Sequence, residues 1–214
     1  MATDENGTRA VAAVAGRLSY RGDCHVHSRR SYGAELTAEQ LVAGARESGL
    51  EFIAVTEHNT AYLRAAWESV AGDDLLVIPG QEVVTETGGR GLAAEIHSGR
   101  WRPAIGNSDV HLPGQIGTPQ TVVRAGELSA QAVLAGIRAR GCWIAESAET
   151  EVSFTACAGN RKADIGERLQ TDGEAVVVTV KIRGVLSGAV TFHTDRGRVH
   201  RDMLPREGSA TRSS

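Results

Sequence analysis

Histidine and carboxylate side chains occur in this sequence at spacings that suit a bound metal ion. His25 and His27 are two residues apart in a short extended run that begins at Asp23. Side chains at i and i+2 of a strand project from the same face, so the two imidazoles can converge on one ion. Imidazole is a good ligand for zinc, iron, manganese and nickel. His-x-His pairs are also common by chance, so the pair alone is equally consistent with ordinary surface or core histidines.

Three further segments carry residues of the same kind, and each follows a predicted strand. They are Glu57-His58-Asn59, Gln81-Glu82 and Asn107-Ser108-Asp109-Val110-His111. In folds with parallel strands, the groups just beyond the carboxyl ends of the strands form the functional site. Four such strand ends in one chain favour a metal site over unrelated polar loop residues.

The elements that must position these residues alternate between strand and helix. Hydrophobic runs and turn residues predict strands at 23–27, 51–56, 75–80 and 103–106. Helices are predicted at 38–48, 61–71 and 91–98, the first with Thr37 as N-cap and Gly49 at its end. This order indicates an α/β fold with parallel strands.

The chain changes character after about residue 147. A helix at 129–140, closed by Gly141, and a strand at 143–145 end the first domain. Alternating or β-branched runs at 152–158, 175–182 and 189–194 then predict a small antiparallel β unit, in which His193 and His200 are structural or surface residues. The predicted domains are a tail and lead-in at 1–19, an α/β metal-binding domain at 20–147, a small β domain at 148–203 and a disordered tail at 204–214.

Composition excludes several classes of protein. The chain has 214 residues, 41% of them hydrophobic and 23% charged, as in ordinary globular proteins. The net charge of -3 gives no reason to expect nucleic acid or an anionic membrane as a partner. No run reaches the ~18 apolar residues that span a bilayer, and no signal peptide is evident, so we expect a cytoplasmic protein. The three cysteines are widely spaced and do not indicate a disulfide framework.

Together these motifs resemble those of the PHP (polymerase and histidinol phosphatase) superfamily, and in particular its carbaryl-hydrolase-like metallohydrolases. The resemblance covers roughly residues 20 to 200. It implies a divalent metal, zinc, manganese or iron, with His25, His27, Glu82 and Asp109 as ligands. It also implies that His58 and His111 bind a further metal or the substrate's phosphate. Glu57 stands where the family usually has Asp, and we assign these last three residues as catalytic.

The sequence departs from the family where the second metal is normally held. The Gly-His and His-Pro motifs that follow the bridging glutamate are missing, and His97 is the only histidine between Glu82 and Asp109. The second metal's own ligands are therefore missing. Gly33 lies near the position at which trinuclear members carry another histidine, so the resemblance does not predict a complete third site. A full barrel takes about 250 residues, so residues 20–147 leave room for about four or five βα units. We therefore predict an abbreviated, open PHP-type distorted β/α barrel whose exposed edge is covered by the C-terminal segment or a second protomer.

A metal ion can lower the pKa of a water to about 7, which suits hydrolysis. The leading hypothesis is a phosphoesterase acting on a small phosphorylated molecule. Its possible substrate-binding residues are Arg29, Arg30, Asn59 and Asn107. One alternative is an amide, carbamate or ester hydrolase of the carbaryl-hydrolase type. Another is a catalytically degenerate metal-binding or interaction protein.

Overall fold

The structure is a computed structural model, and it describes residues 11–14, 17–60, 64–82, 102–194, 196–204 and 210–213. These residues divide into two compact units, with a boundary between Ala148 and Glu149. The predicted helix at 91–98 and the start of the one at 61–71 lie outside the described ranges. None of the described helices combines the length and apolar character needed to cross a bilayer.

The first unit contains a mixed sheet with helices. Its strands lie in the order β4-β3-β2-β5-β6, and β1 pairs with β2. β2, β3 and β4 are parallel, whereas β5 is antiparallel to β2 and to β6. The elements are β1 (Val11–Val14), β2 (Arg17–Val26), α1 (Ala38–Glu47), β3 (Phe52–Val55), α2 (Arg64–Ala71), β4 (Leu76–Pro79), β5 (Gln120–Ala125), α3 (Ala130–Arg138) and β6 (Cys142–Ala145). The α/β class is thus confirmed, and the open barrel stays a prediction.

The strand predicted at 103–106 is wrong, because these residues have no regular structure. The Gly106 N–H donates to Thr121 Oγ1 at 3.1 Å, and the Gly106 carbonyl accepts from the same hydroxyl at 2.7 Å. Its backbone groups therefore bond to a side chain rather than to a neighbouring strand. On the side of β2 away from β3 lies β5, where Thr121 pairs with Gly22, and this strand was not predicted from the sequence.

α1 begins and ends where the sequence predicts. Thr37 and Gln40 form a capping box in which each side chain accepts from the other residue's backbone N–H. Gly49 follows the helix with φ of 68°, a conformation that favours glycine. The helix buries Leu41, Val42 and Ala45 in the core of the first unit.

α3 departs in detail from the prediction. Ser129 is its N-cap and accepts from the Ala132 N–H at 3.2 Å, as expected. The residue with left-handed φ after the helix is Arg140, at 65°, and not Gly141. Leu134 is exposed, since the helix packs on β5 through Val133 and Gly136. A Cβ at Gly136 would lie 2.5 Å from the Arg124 carbonyl oxygen, so this contact requires glycine.

The second unit is antiparallel, as the alternating runs predict. One sheet has the order β12-β9-β7-β8, and β10 and β11 form a hairpin. Its strands are β7 (Glu151–Ala158), β8 (Arg161–Asp164), β9 (Val177–Arg183), β10 (Gly188–Thr194), β11 (Gly197–Leu204) and β12 (Ala210–Ser213). The expectation of a disordered tail from 204 onward fails for Ala210–Ser213, because this segment pairs with β9 and so satisfies its backbone hydrogen bonds.

Candidate metal centre

The four side chains expected to bind a metal meet beyond the carboxyl ends of the parallel strands. His25 Nε2 lies 3.3 Å from Glu82 Oε2 and 3.3 Å from Asp109 Oδ1. His27 Nε2 lies 3.3 Å from the same Glu82 oxygen and 3.1 Å from the same Asp109 oxygen. Two imidazole nitrogens and two carboxylate oxygens thus form one compact cluster.

These distances fit a shared metal ion. Two ligand atoms bound tetrahedrally to zinc at its usual bond lengths lie about 3.3 Å apart. The Nε2 atoms of His25 and His27 are buried yet form no hydrogen bond, a costly arrangement that a metal ion would relieve. Burial lowers the pKa of His27, and the neighbouring histidines lower it further, which favours the neutral imidazole that a metal requires.

Two more histidines adjoin the cluster. His58 Nε2 lies 3.3 Å from Glu82 Oε2, and ring nitrogens of His27, His58 and His111 lie within 4.8 Å of one another. His111 Nδ1 is 2.8 Å from the carbonyl oxygen of Asp109. Because a carbonyl only accepts, His111 carries a proton on Nδ1, and in the neutral ring its Nε2 is left as an acceptor or ligand.

The strand pairing explains why these residues converge. Val26, between the two histidines, is fully buried in the core and makes an isolated parallel bridge with Val110. A second parallel bridge joins His58 to Glu82 and extends the pairing of β3 with β4. Asp109, next to Val110, has φ of 51°, which is uncommon for a residue with a side chain and indicates a conformation imposed by its surroundings.

Asp23 imposes part of that conformation. Its buried carboxylate accepts from the backbone N–H groups of His25 at 3.1 Å, Ser108 at 3.2 Å and Gly117 at 3.1 Å. Burial raises the pKa of Asp23, and these hydrogen bonds oppose the effect. Asp23 therefore links the histidine strand to the loop that presents Asp109.

Glu57, which the sequence analysis assigns as catalytic, lies outside the ligand cluster, and its catalytic role stays a prediction. Its carboxylate is buried and accepts from the Ser28 hydroxyl at 2.5 Å, the Ser28 N–H and the Ser31 hydroxyl at 2.6 Å. Ser31 Oγ in turn lies 3.3 Å from His27 Nδ1. Glu57 is thus held in a hydrogen-bonded network behind His27.

The asparagines expected to bind substrate also have structural partners. Asn107 Oδ1 accepts from the Cys24 N–H at 2.9 Å, so this oxygen holds β2. Asn59 is exposed, with φ of 50°, and its N–H donates to the Glu82 carbonyl. Burial raises the pKa of the Cys24 thiol to about 12, so without a bound metal ion this thiol stays protonated at neutral pH.

Arg29 and Arg30 lie in the exposed turn that follows the first motif. Their backbone N–H groups donate to the Leu36 carbonyl and the Ser28 hydroxyl, which fixes the turn next to the network of Glu57. Both residues are exposed to solvent.

Sequence reasoning missed the roles of Ser28 and Ser31. Both lie in a polar turn that has no motif of its own. The available signal was indirect: a carboxylate at residue 57, next to a buried strand, needs hydrogen-bond donors if it is itself buried. Nothing local indicates that those donors come from residues 28 and 31.

Comparison with known proteins gives two similarities, one in sequence and one in structure. A family model described as PHP-associated matches residues 90–142. A solved structure from Bacteroides vulgatus ATCC 8482, a two-domain protein containing a predicted PHP-like metal-dependent phosphoesterase, superposes with a TM-score of 0.52 at 13% sequence identity. The similarity covers 94% of this chain and 87% of that one. At this identity it shows a shared fold. None of the curated proteins compared with the chain matches it.

Proposed function

We propose that this chain is a metal-dependent hydrolase of the PHP type and that it cleaves phosphate esters of small molecules. One observation carries the proposal: two buried imidazole nitrogens without hydrogen bonds face two carboxylate oxygens at 3.1 to 3.3 Å. His25, His27, Glu82 and Asp109 would hold the ion. When bound there, a divalent metal ion supplies Lewis acidity and an activated water nucleophile.

Residues around the ligand cluster can supply the other groups that the reaction needs, for binding the phosphate and for exchanging protons. His58 and His111 border the ligand cluster and can orient a phosphate oxygen or exchange a proton with it. In neutral His111 the proton lies on Nδ1, so Nε2 accepts from a protonated group or takes up a proton. Arg29 and Arg30 supply positive charge in an exposed turn nearby, which suits an anionic substrate.

Hydrolysis of p-nitrophenyl phosphate and p-nitrophenyl acetate, with zinc, manganese or iron, tests the proposal. We expect phosphatase activity that disappears on chelation and in His25→Ala, and that is retained in His193→Ala, a matched change on β10 of the second unit. Ester hydrolysis alone would instead support the carbaryl-hydrolase type, since the same ligand set can polarise a carbonyl.

Loss of catalysis is the second candidate, and the histidine content of the described residues favours it. Apart from His25, His27, His58 and His111, the described histidines are His193 and His200, both in the second unit. The described part of the chain therefore lacks the extra histidine pair that the resemblance assigns to a second metal. Bound metal without hydrolysis of either substrate would establish this alternative.

A further inference from the structure

The buried hydroxyl of Ser31 connects three groups of the candidate metal centre. Its Oγ lies 2.6 Å from Glu57 Oε2, 2.9 Å from the backbone nitrogen of His58 and 3.3 Å from His27 Nδ1. Ser31, Glu57 and His27 are all nearly inaccessible to solvent. Water therefore does not compete strongly for these hydrogen bonds.

The donors and acceptors can be arranged in one consistent way. A serine hydroxyl has one proton to donate and two lone pairs that accept. Glu57 accepts from Ser31 and Ser28, so the proton of Ser31 is directed to Glu57 Oε2. The backbone N–H of His58 takes one lone pair, and the other can only accept from His27 Nδ1.

This arrangement determines which nitrogen of His27 is protonated. A proton on Nδ1 leaves Nε2 with a free lone pair, and Nε2 is the atom that faces Glu82 and Asp109 at 3.3 and 3.1 Å. The opposite tautomer would place a proton on Nε2, where it blocks metal binding, and would require Ser31 to withdraw its hydrogen bond from Glu57.

We propose that Ser31 and Glu57 are positioning residues that hold His27 as its Nδ1–H tautomer, with Nε2 ready to bind the metal ion. The proposal rests on the function proposed above and extends it to residues that do not touch the ion. Ser31 also anchors the backbone of His58, so it orients two histidines of the centre together. Mutation of a residue that hydrogen-bonds to a metal ligand typically weakens metal binding by about 10- to 100-fold.

The tautomer can be measured directly in the metal-free chain. Long-range proton–nitrogen correlation spectra of the 15N-labelled protein distinguish protonation at Nδ1 from protonation at Nε2. We expect the wild-type chain to show His27 protonated at Nδ1. A wild-type spectrum with His27 protonated at Nε2 would overturn the proposal without any variant being made.

Three serine variants extend the test to metal binding, measured by competition with a chelator. Ser31→Ala should weaken binding of zinc or manganese by about 10- to 100-fold and lose the Nδ1–H signature, whereas Ser31→Thr, which keeps a hydroxyl, should restore both. Ser69→Ala is the control, because it removes an exposed hydroxyl that donates to the Ala66 carbonyl in α2, away from the centre. It should leave both the metal affinity and the tautomer of His27 unchanged.

The outcomes separate this proposal from the proposed function. Tight metal binding by both wild type and Ser31→Ala, with unchanged tautomer, would contradict the role of Ser31 and leave the hydrolase proposal intact. A wild-type chain that binds none of the three ions would contradict the hydrolase proposal, and the tautomer of His27 would then decide the role of Ser31 by itself.

Discussion

At the scale of single residues, Asp23 shows how a side chain that binds no ligand can still build the centre. Its carboxylate accepts from three backbone N–H groups that belong to β2 and to the segment 108–117. Because these groups are buried, an acceptor at this point satisfies donors that would otherwise be costly. The loop that presents Asp109 therefore depends on Asp23, which lies in β2.

Asp23→Asn should reduce both stability and metal affinity. The amide nitrogen would face backbone donors in place of an oxygen, and we expect the free energy of unfolding to fall by about 1–3 kcal/mol. Urea denaturation of the metal-free chain measures this. Asp74→Asn is the matched control, since Asp74 is exposed and paired with Arg46 at the surface, and it should cost less than about 1 kcal/mol. Equal losses in the two variants would refute the role given to Asp23.

The proximity of the candidate ligands could be predicted from the sequence, whereas their supporting contacts could not. His25 and His27 lie at the carboxyl end of one predicted strand and Glu82 follows another, and parallel strands bring their carboxyl ends together. The hydrogen-bond partners of Glu57 and Asn107 could not be predicted, because burial and hydrogen bonding depend on contacts between distant segments. The sequence shows that Glu57 and Asn107 belong to the motifs. Only the structure shows that they bond to Ser31 and Cys24.

At the scale of elements, local signals predicted some parts well and others poorly. α1, β3 and β4 have caps or continuous apolar runs that a short window of sequence contains. β5 was missed although Thr121, Val122 and Val123 are β-branched, since its pairing with β2 joins residues about a hundred positions apart. Residues 103–106 have an apolar run but no strand partner, and so a strand was wrongly expected there.

The capping box of α1 is a direct test at this scale. Thr37→Ala removes the acceptor for the Gln40 N–H, so we expect unfolding to become easier by about 1 kcal/mol. Thr37→Ser keeps the hydroxyl and should change the free energy of unfolding by only a few tenths of a kcal/mol. If the serine variant were as unstable as the alanine variant, the hydroxyl would not be the source of the stability.

At the scale of the whole molecule, one buried carboxyl should make the stability of the fold depend on pH. It lies at the end of the sheet opposite the candidate metal centre. Glu51 directly precedes β3, and its Oε2 accepts from the Arg21 N–H at 2.9 Å. Burial raises the pKa of Glu51 from 4.5 to about 7, despite the opposing effect of Arg21. The neutral form is therefore favoured in the fold, and its stabilising effect is complete below pH 4.5 and is lost as the pH rises to about 7.

The size of this effect follows from the shift. Each pKa unit corresponds to about 1.4 kcal/mol, so the wild type should lose on the order of 3 kcal/mol between pH 4.5 and pH 7 through Glu51. Glu51→Gln should flatten this dependence and be more stable than wild type at pH 8, as judged by urea denaturation at pH 5 and pH 8. Glu47→Gln, at an exposed position of α1, is the control. A Glu51→Gln curve that matches wild type at both pH values would rule out the effect.

The candidate metal centre belongs to the first of the two units. The first unit has the mixed sheet and the histidine–carboxylate cluster, and the second is an antiparallel β unit. The expected homo-oligomer and the covered sheet edge stay predictions, which sedimentation of the full chain would test. The central claim, however, is that the histidine–carboxylate cluster binds a metal ion, since the hydrolase proposal and the role of Ser31 both build on that binding.

Metal content by inductively coupled plasma mass spectrometry tests that claim most directly. The full chain and two double variants would be loaded with zinc, manganese or iron and then desalted. We expect about one ion per chain in the wild type and in the control His193→Ala/His200→Ala, and none in His25→Ala/His27→Ala. A wild-type chain without metal, or equal metal in all three proteins, would contradict the account.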